Sequence, residues 1–442
     1  MHHTLAYPRH PGKSFSAIAA HWPGAVWLDS GGVAGTRYDI IAAAPRAWFR
    51  VVDGVVRRRC AEGGTWVDTG LFPDGLRAGL DRAPAGPPPF AGGLIGYFGY
   101  DLGRRLMGLA DASAGTVEAE FGRYDWAVVI DHHRCRAWLA GPAANASLAH
   151  ALDAAMAATT APARPWRLGP VLADLDRGAY AAAFARVQHY LHAGDCYQVN
   201  LARRFEAPLE GDPLGLWLAL REASPGGYGA YLDLPGRSVL SISPERFLQL
   251  RDGAVETRPI KGTRPRDPEP RRDAALAADL RGSPKDRAEN LMIVDLLRND
   301  LGRVCETGSV RVPRLFDVER LATVQHLVSV VTGRLPAGRD ALDLVAACLP
   351  GGSITGAPKH RAMQIIDELE PTRRGVYCGA VGYLGDDGAM DTSIAIRTAV
   401  AAGGRVEYRA GGGVVADSTE AGEFDETGAK AAAFLGLVSA PR

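Results

Sequence analysis

No two of the six cysteines (Cys60, Cys135, Cys196, Cys305, Cys348 and Cys378) are spaced as a CxxC pair. That argues against a zinc ribbon or a disulfide framework and fits a reducing compartment, the cytoplasm. Charge of one sign is missing too: 50 Lys and Arg balance 50 Asp and Glu. No global field therefore recruits nucleic acid or an anionic membrane, and an anion has to be bound locally. No stretch approaches the roughly 18 uninterrupted apolar residues of a membrane span. The N-terminus, running through Pro8, Arg9 and His10, lacks the apolar segment of a secretory leader. Nucleotide signatures fail in detail. In Gly351-Gly352-Ser353-Ile354-Thr355-Gly356-Ala357-Pro358-Lys359, Ala357 and Pro358 separate Gly356 from the lysine, so the GxxxxGK[ST] order is broken. Gly92-Gly93-Leu94-Ile95-Gly96 lacks the GxGxxG order. There is no internal repeat.

What is present is an ordinary globular composition, 47% hydrophobic and 23% charged, on 442 residues. That length buries a large core and favours more than one domain. A proline-rich stretch at 83–89 reads as a stiff loop, and a second at 161–166, after an alanine-rich helical run at 143–161, as a boundary. The division expected is an N-terminal region, 1–165, and a second region, 170–440. Strands are expected at 24–29, 47–52, 126–131, 196–205, 229–234, 238–242, 379–384, 391–400 and 405–410. Helices are expected at 176–193, 285–301, 358–369 and 420–437. This irregular alternation predicts an α+β fold with helices covering sheet faces.

Several residues suggest chemistry. Lys261, in Pro259-Ile260-Lys261-Gly262-Thr263, lies between a strand-like stretch and a polar turn. Partly desolvated or near another cation, such an amine becomes a nucleophile; in isolation it reads more readily as a surface lysine in a turn. Asp286 and Glu289 share a face of one expected helix, and Glu423 and Glu426 share a face of another. Facing each other, they suit a hard cation such as Mg²⁺; separately, they suit helix N-termini as acids complementing the dipole. Gly411-Gly412-Gly413 allows close backbone approach to a ligand, or is a tight turn. Arg397, in a strand that otherwise looks buried, needs a partner, and a substrate carboxylate is a natural one. The polar residues Asp295, Arg298, Asn299, Asp300 and Arg303 read as one internal supporting network.

Together these segments resemble the chorismate-utilising enzymes, the family of the anthranilate, aminodeoxychorismate, isochorismate and salicylate synthases. The matching strings are Ser243-Pro244-Glu245-Arg246-Phe247, PIKGT, Glu289 leading into VDLLRNDLGR, Gln325-His326-Leu327 and GGSITGAPK. They continue with Tyr377-Cys378-Gly379, Ile396-Arg397-Thr398 and AGGGVVADS before Glu423 and Glu426. The resemblance implies orthogonally packed antiparallel or mixed sheets covered by helices, in α/β/β/α layers. It implies chorismate as substrate and Mg²⁺ as cofactor, held by Glu289 and Glu426, with Asp286 and Glu423 acting through water. Gly262, Thr263 and the amides of Gly411, Gly412 and Gly413 would position the ring carboxylate. Tyr377 and Arg397, assisted by Lys430, would take the enolpyruvyl carboxylate, and His326 would orient the ring.

A lysine at 261, where anthranilate synthases look like PIAGT, is similar to the aminodeoxychorismate branch. Lys261 would be the covalent nucleophile and Glu245 the general acid. Gln198 occupies the place of the water-activating lysine of isochorismate and salicylate synthases, which leaves ammonia as the incoming group. No Gly-x-Cys-x-Gly loop is present, so the ammonia would come from a separate glutamine amidotransferase subunit. The alternatives are the anthranilate branch and a non-catalytic scaffold that binds a glutaminase. Relatives bind tryptophan in the N-terminal region. Ser30, Arg37, Tyr38 and Asp39 partly fit such a pocket, whereas the usual Asn-Pro-x-Pro string is replaced by Ser224-Pro225-Gly226-Gly227-Tyr228.

Overall fold

The computed structural model describes residues 2–32, 36–83, 89–109, 115–157, 164–321 and 324–438. Most of the 83–89 stretch, the end of the 143–161 run from 158, and residues 161–163 of the expected boundary lie outside these. Among the described residues the strands form two sheets, of 13 and 12 strands, and every pairing is antiparallel. The architecture is α+β, as expected.

In the first sheet Val26–Asp29 lies against Tyr228–Leu234, followed by Arg237–Ser243, Thr398–Ala402, Arg405–Val414 and Gln198–Gly211. In the second, Ile260–Pro265 pairs with Val324–Arg334, and the sheet continues to Ala380–Gly385, Gly93–Phe98 and Val117–Tyr124. Both sheets therefore take strands from each side of the 158–169 stretch. The two sheets meet through one buried cluster that includes Ile40, Trp48, Ile95, Tyr97, Leu232 and Val239. Burying such side chains is worth about 1.5–3 kcal/mol each, which holds the sheets face to face.

The helices that frame the site are capped by their own sequences. Ser283 accepts from the Asp286 amide ahead of Pro284–Gly302, with Pro284 in the first turn. Thr419 accepts from the Gly422 amide ahead of Glu420–Leu435. Each cap satisfies a donor that the helix leaves free.

Three expectations change. The glycine run 411–413 is not a turn but the end of the strand Arg405–Val414, with Asn200 opposite Gly413 and Ala202 opposite Gly411. The strand expected over 391–400 is two strands, Met390–Ile394 and Thr398–Ala402. Between them Arg397 takes a left-handed backbone (φ 51°), which breaks the pairing. The network expected around Asp300 is not one unit: Asp295 pairs with Arg298 on the surface, while Asp300 pairs inward with Lys359 at 2.7 Å. Lys359 also donates to the Cys348 carbonyl. It is thus committed to the core, not to a phosphate.

Candidate active site

A cavity of about 640 Å³ opens between the two sheets' ends and the helices Pro284–Gly302 and Glu420–Leu435. Lys261, Glu245, Gly262, Thr263, His326, Tyr377, Arg397, Gly411, Gly413 and Lys430 all line it, together with Asp286, Glu289, Glu423 and Glu426. Gly412 lies just behind: a Cβ there would sit 2.5 Å from Glu423 Oε2 and 3.5 Å from Glu426 Oε1.

Lys261 projects from Ile260–Pro265, where it pairs with Leu327; the register slips at Gly262 before Thr263 pairs with His326. The slip needs Gly262 twice over. Its φ of +75° is left-handed, and a Cβ would press on Asp286 at 2.9 Å. Thr263 Oγ1 lies 3.0 Å from His326 Nδ1.

The electrostatics are opposed. Burial pushes the Lys261 ammonium below its ordinary range; the Glu289 carboxylate opposes that fall and the nearby Lys430 cation adds to it. Burial pushes the Glu245 carboxyl up to about 7, partly offset by Lys261 and by a hydrogen bond from Ser353. Glu245 is 6% exposed. The site thus sets an amine whose burial favours its neutral form near a carboxyl whose burial favours its protonated form, the directions that nucleophilic and general acid catalysis require.

The four carboxylates face one cavity but are not a closed cluster. Among the described residues no three His, Cys, Asp or Glu side chains stand as a ready metal cage. Glu426 lies 2.6 Å from Lys430 Nζ, which also donates to the Gly411 carbonyl, and Asp286 lies 3.1 Å from Arg264. Glu423 accepts from Ser418, but its buried Oε2 has no hydrogen-bond partner among the described residues. An orphaned buried carboxylate oxygen over a glycine, with three more carboxylates on the same cavity, is a hard oxygen donor set that fits Mg²⁺.

Arg397 lines the cavity, and no acidic side chain among the described residues pairs with it. Tyr377 is buried beneath, its hydroxyl held protonated by desolvation. His326 is half-buried, and burial lowers its pKa, favouring the neutral imidazole.

Ser353, Asn200 and Arg409 also line the cavity and were not picked out from the sequence as site residues. Asn200 was within reach, since it lies two residues beyond Gln198 and so on the same strand face. Ser353 sat in a loop read for its amides, not its hydroxyl. Gln198 itself is buried behind the cavity wall, and neither of its amide atoms has a partner among the described residues.

Ser30, Arg37 and Tyr38 come together at a second cavity, of about 270 Å³, which Gly227 and Tyr228 also line. Asp39 lies buried below and accepts from Ser30 Oγ at 2.6 Å. All six cysteines are free thiols, four of them buried. Among the described residues no helix is long and apolar enough to cross a membrane.

Comparison with known proteins extends the geometry. The model of the family described as chorismate binding enzyme matches residues 43–436. The aminodeoxychorismate synthase component 1 of Klebsiella aerogenes is 48% identical over 93% of each chain. The anthranilate synthase component 1 of Streptomyces coelicolor is 43% identical over 82% of this chain and 76% of its own. Among solved structures, anthranilate synthase component I from Streptococcus pneumoniae superposes with a TM-score of 0.79 at 32% identity, covering 90% of this chain and 92% of that one.

Proposed function

The chain belongs to the chorismate binding enzyme family, and we propose that it makes 4-amino-4-deoxychorismate from chorismate and ammonia, on the route to p-aminobenzoate and folate. The observation that carries this reading is the Lys261–Glu245 pair in one cavity, with the amine's pKa driven down and the carboxyl's up. The identity with relatives of that activity supports it.

Chorismate is a dianion. Arg397 and Tyr377, with Lys430 on the same cavity, suit its enolpyruvyl carboxylate, and Gly262, Thr263 and the Gly411 backbone suit the ring end. Mg²⁺ on Glu289 and Glu426, with Asp286 and Glu423 reached through water, would neutralise the ring carboxylate when bound.

The neutral Lys261 amine then attacks C2. The ring double bond shifts, and the C4 hydroxyl takes the Glu245 proton and leaves as water. The new secondary ammonium returns a proton to the Glu245 carboxylate. Ammonia adds at C4, the double bond shifts back, the C2–N bond breaks with Glu245 reprotonating the lysine, and the C4 ammonium gives its extra proton back to the Glu245 carboxylate. Water and aminodeoxychorismate are the products. Protonating the leaving hydroxyl contributes about 10²–10⁴-fold.

The ammonia would come from a glutamine amidotransferase as second component, as the relatives' name, component 1, suggests. The free thiols suit work in a reducing cytoplasm. The second cavity, at Ser30, is the place a tryptophan would take.

The test is incubation with chorismate, Mg²⁺ and ammonium, with the products read by mass spectrometry. Aminodeoxychorismate is expected. Anthranilate would move the chain to the other branch, and no turnover would leave a scaffold. Lys261→Ala is expected to lower turnover by roughly 10³-fold or more while chorismate still binds. An unimpaired variant would remove the nucleophile.

A further inference from the structure

Alternate residues of the strand Gln198–Gly211 form one buried row: Val199, Leu201, Arg203, Phe205, Ala207 and Leu209. Val199 and Leu201 pack with Tyr180, Phe184 and Phe424, and Phe205 and Ala207 with Ala431 and Phe434. The row therefore lies under the helices Arg177–His192 and Glu420–Leu435. Every member is apolar except Arg203, a guanidinium only 7% exposed.

No acidic side chain among the described residues pairs with Arg203. It donates to the Leu175 carbonyl at 3.0 Å and to Thr427 Oγ1 at 3.1 Å. Its guanidinium carbon lies 4.0 Å from the centre of the Phe424 ring and 5.1 Å from that of Phe205. Burial pushes its pKa below the ordinary range, offset only in part by Tyr180, Asp174 and Asp176. A charge so placed costs desolvation, and an apolar side chain of similar volume often leaves such a core as stable or more so. Stability alone does not account for a guanidinium in this row.

What it touches does. Phe424 and Thr427 belong to the same stretch of helix as Glu423 and Glu426, a little more than one turn. Thr427 Oγ1 also donates to the Phe424 carbonyl. The Phe424 ring is held from the neighbouring helix as well, by the edge-on Tyr180 ring at 5.4 Å and by Arg177 at 5.2 Å. Arg203 stands opposite Ala410 in the strand pair, next to the glycine run on which the Glu423 and Glu426 carboxylates bear. It thus ties the helix to the sheet at the one place where both carry the cation's surroundings. The tolerance there is narrow: metal–ligand distances hold to about 0.2 Å. A helix roll of about 10° carries a side-chain end at a radius of roughly 6 Å through about 1 Å.

We infer that Arg203 is a positioning residue for the cation: through Phe424 and Thr427 it sets the roll of the helix that presents Glu423 and Glu426 to Mg²⁺. The inference rests on the Mg²⁺ reading above. Arg203 does not line the catalytic cavity, so its effect passes through the helix and not through contact with chorismate or the ion.

The test uses the full chain and three variants. Arg203→Met removes the charge and keeps an apolar stem, Phe424→Leu removes the ring, and Phe424→Tyr keeps it. Mn²⁺, a paramagnetic stand-in for Mg²⁺, is titrated by electron paramagnetic resonance with chorismate present and ammonium withheld. The Mg²⁺ dependence of turnover is measured beside it. Arg203→Met and Phe424→Leu are each expected to raise the Mn²⁺ Kd and the half-maximal Mg²⁺ concentration by about ten-fold. Phe424→Tyr should bind Mn²⁺ as the parent does. The double variant Arg203→Met, Phe424→Leu should lose no more than either single one, because the two side chains act through one contact. At saturating Mg²⁺ the kcat and the KM for chorismate should hold, and the Tm of Arg203→Met should hold or rise. An unchanged Mn²⁺ Kd in Arg203→Met would overturn the inference. So would losses that multiply in the double variant, or a Tm that falls along with ion binding, since either marks a general packing defect. A parent chain that binds no Mn²⁺ and turns over equally well without Mg²⁺ would instead sink the cation reading, so the two failures are distinguishable.

Discussion

At the scale of single residues, the cavity sets two proton affinities against each other. Glu245 is held near 7, from an ordinary 4.5, mainly by burial, and the Ser353 hydroxyl limits the rise by donating to the charged form. With Glu245 as the proposed acid, kcat/KM should fall as pH rises through about 7. Ser353→Ala removes the donor, so that alkaline limb is expected to move up by roughly half to one pH unit. A pH–rate profile checks it, and a downward shift would contradict the assignment. The same shift has a stability consequence. Between 4.5 and about 7 the folded chain holds a proton at Glu245 that the unfolded chain has lost. Stability from this group is therefore full below 4.5 and declines as pH rises through the window. The identities of Lys261, Glu245 and the carboxylates were legible in the sequence because they sit in contiguous strings. The Ser353 contact was not, because it joins positions 108 residues apart (353 − 245), and neither was the left-handed Arg397, because its strain shows only in the backbone.

At the scale of elements, the glycine run shows where pattern reading stops. Three glycines carry no alternation, so 411–413 looked like a turn or a ligand loop. The structure continues Arg405–Val414 through them because the partner strand supplies the side chains. Asn200 Oδ1 overlies Gly411, Gln198 Nε2 overlies Gly413, and Gly412 turns its open face to the carboxylates of Glu423 and Glu426. Long amphipathic helices and alternating strands were legible within a few residues, as Ala47–Val52 and Lys359–Leu369 show. A strand built of absences was not. Gly412→Ala would push a methyl against Glu423 Oε2, with Glu426 next in line. It should raise the Mg²⁺ concentration for half-maximal activity by about ten-fold, in the manner of a shifted ligand shell. Gly428→Ala, in the same helix as both glutamates but with open space around it, is the control. It should leave the Mg²⁺ dependence alone and stabilise the helix by about 0.5–1 kcal/mol. Equal Mg²⁺ titrations for the two variants would remove Gly412 from the cation site.

At the scale of the whole molecule, the two sequence regions are joined by hydrogen bonds rather than by a surface. Val26–Asp29 pairs directly with Tyr228–Leu234, and Gly93–Phe98 with Ala380–Gly385. The rings of Trp27 and Trp217 stand 5.1 Å apart in one core. Removing either region would leave long unpaired edges and half of each inter-sheet contact, so neither is expected to persist while the other unfolds. Thermal unfolding followed by far-UV circular dichroism and by tryptophan fluorescence should therefore give coincident transitions. Fluorescence is a regional probe here, because six of the eight tryptophans precede residue 150. The cavity proposed to take chorismate and Mg²⁺ is lined only by residues of the second region, yet binding to the native state alone adds RT ln(1 + [L]/Kd) to the stability of whatever unfolds with the site. Ligand addition should then raise the fluorescence midpoint by as much as the dichroism midpoint. Were the fluorescence transition to stay fixed while the other moved, the N-terminal region would be an independently melting unit, and the shared sheets would not couple it to the site.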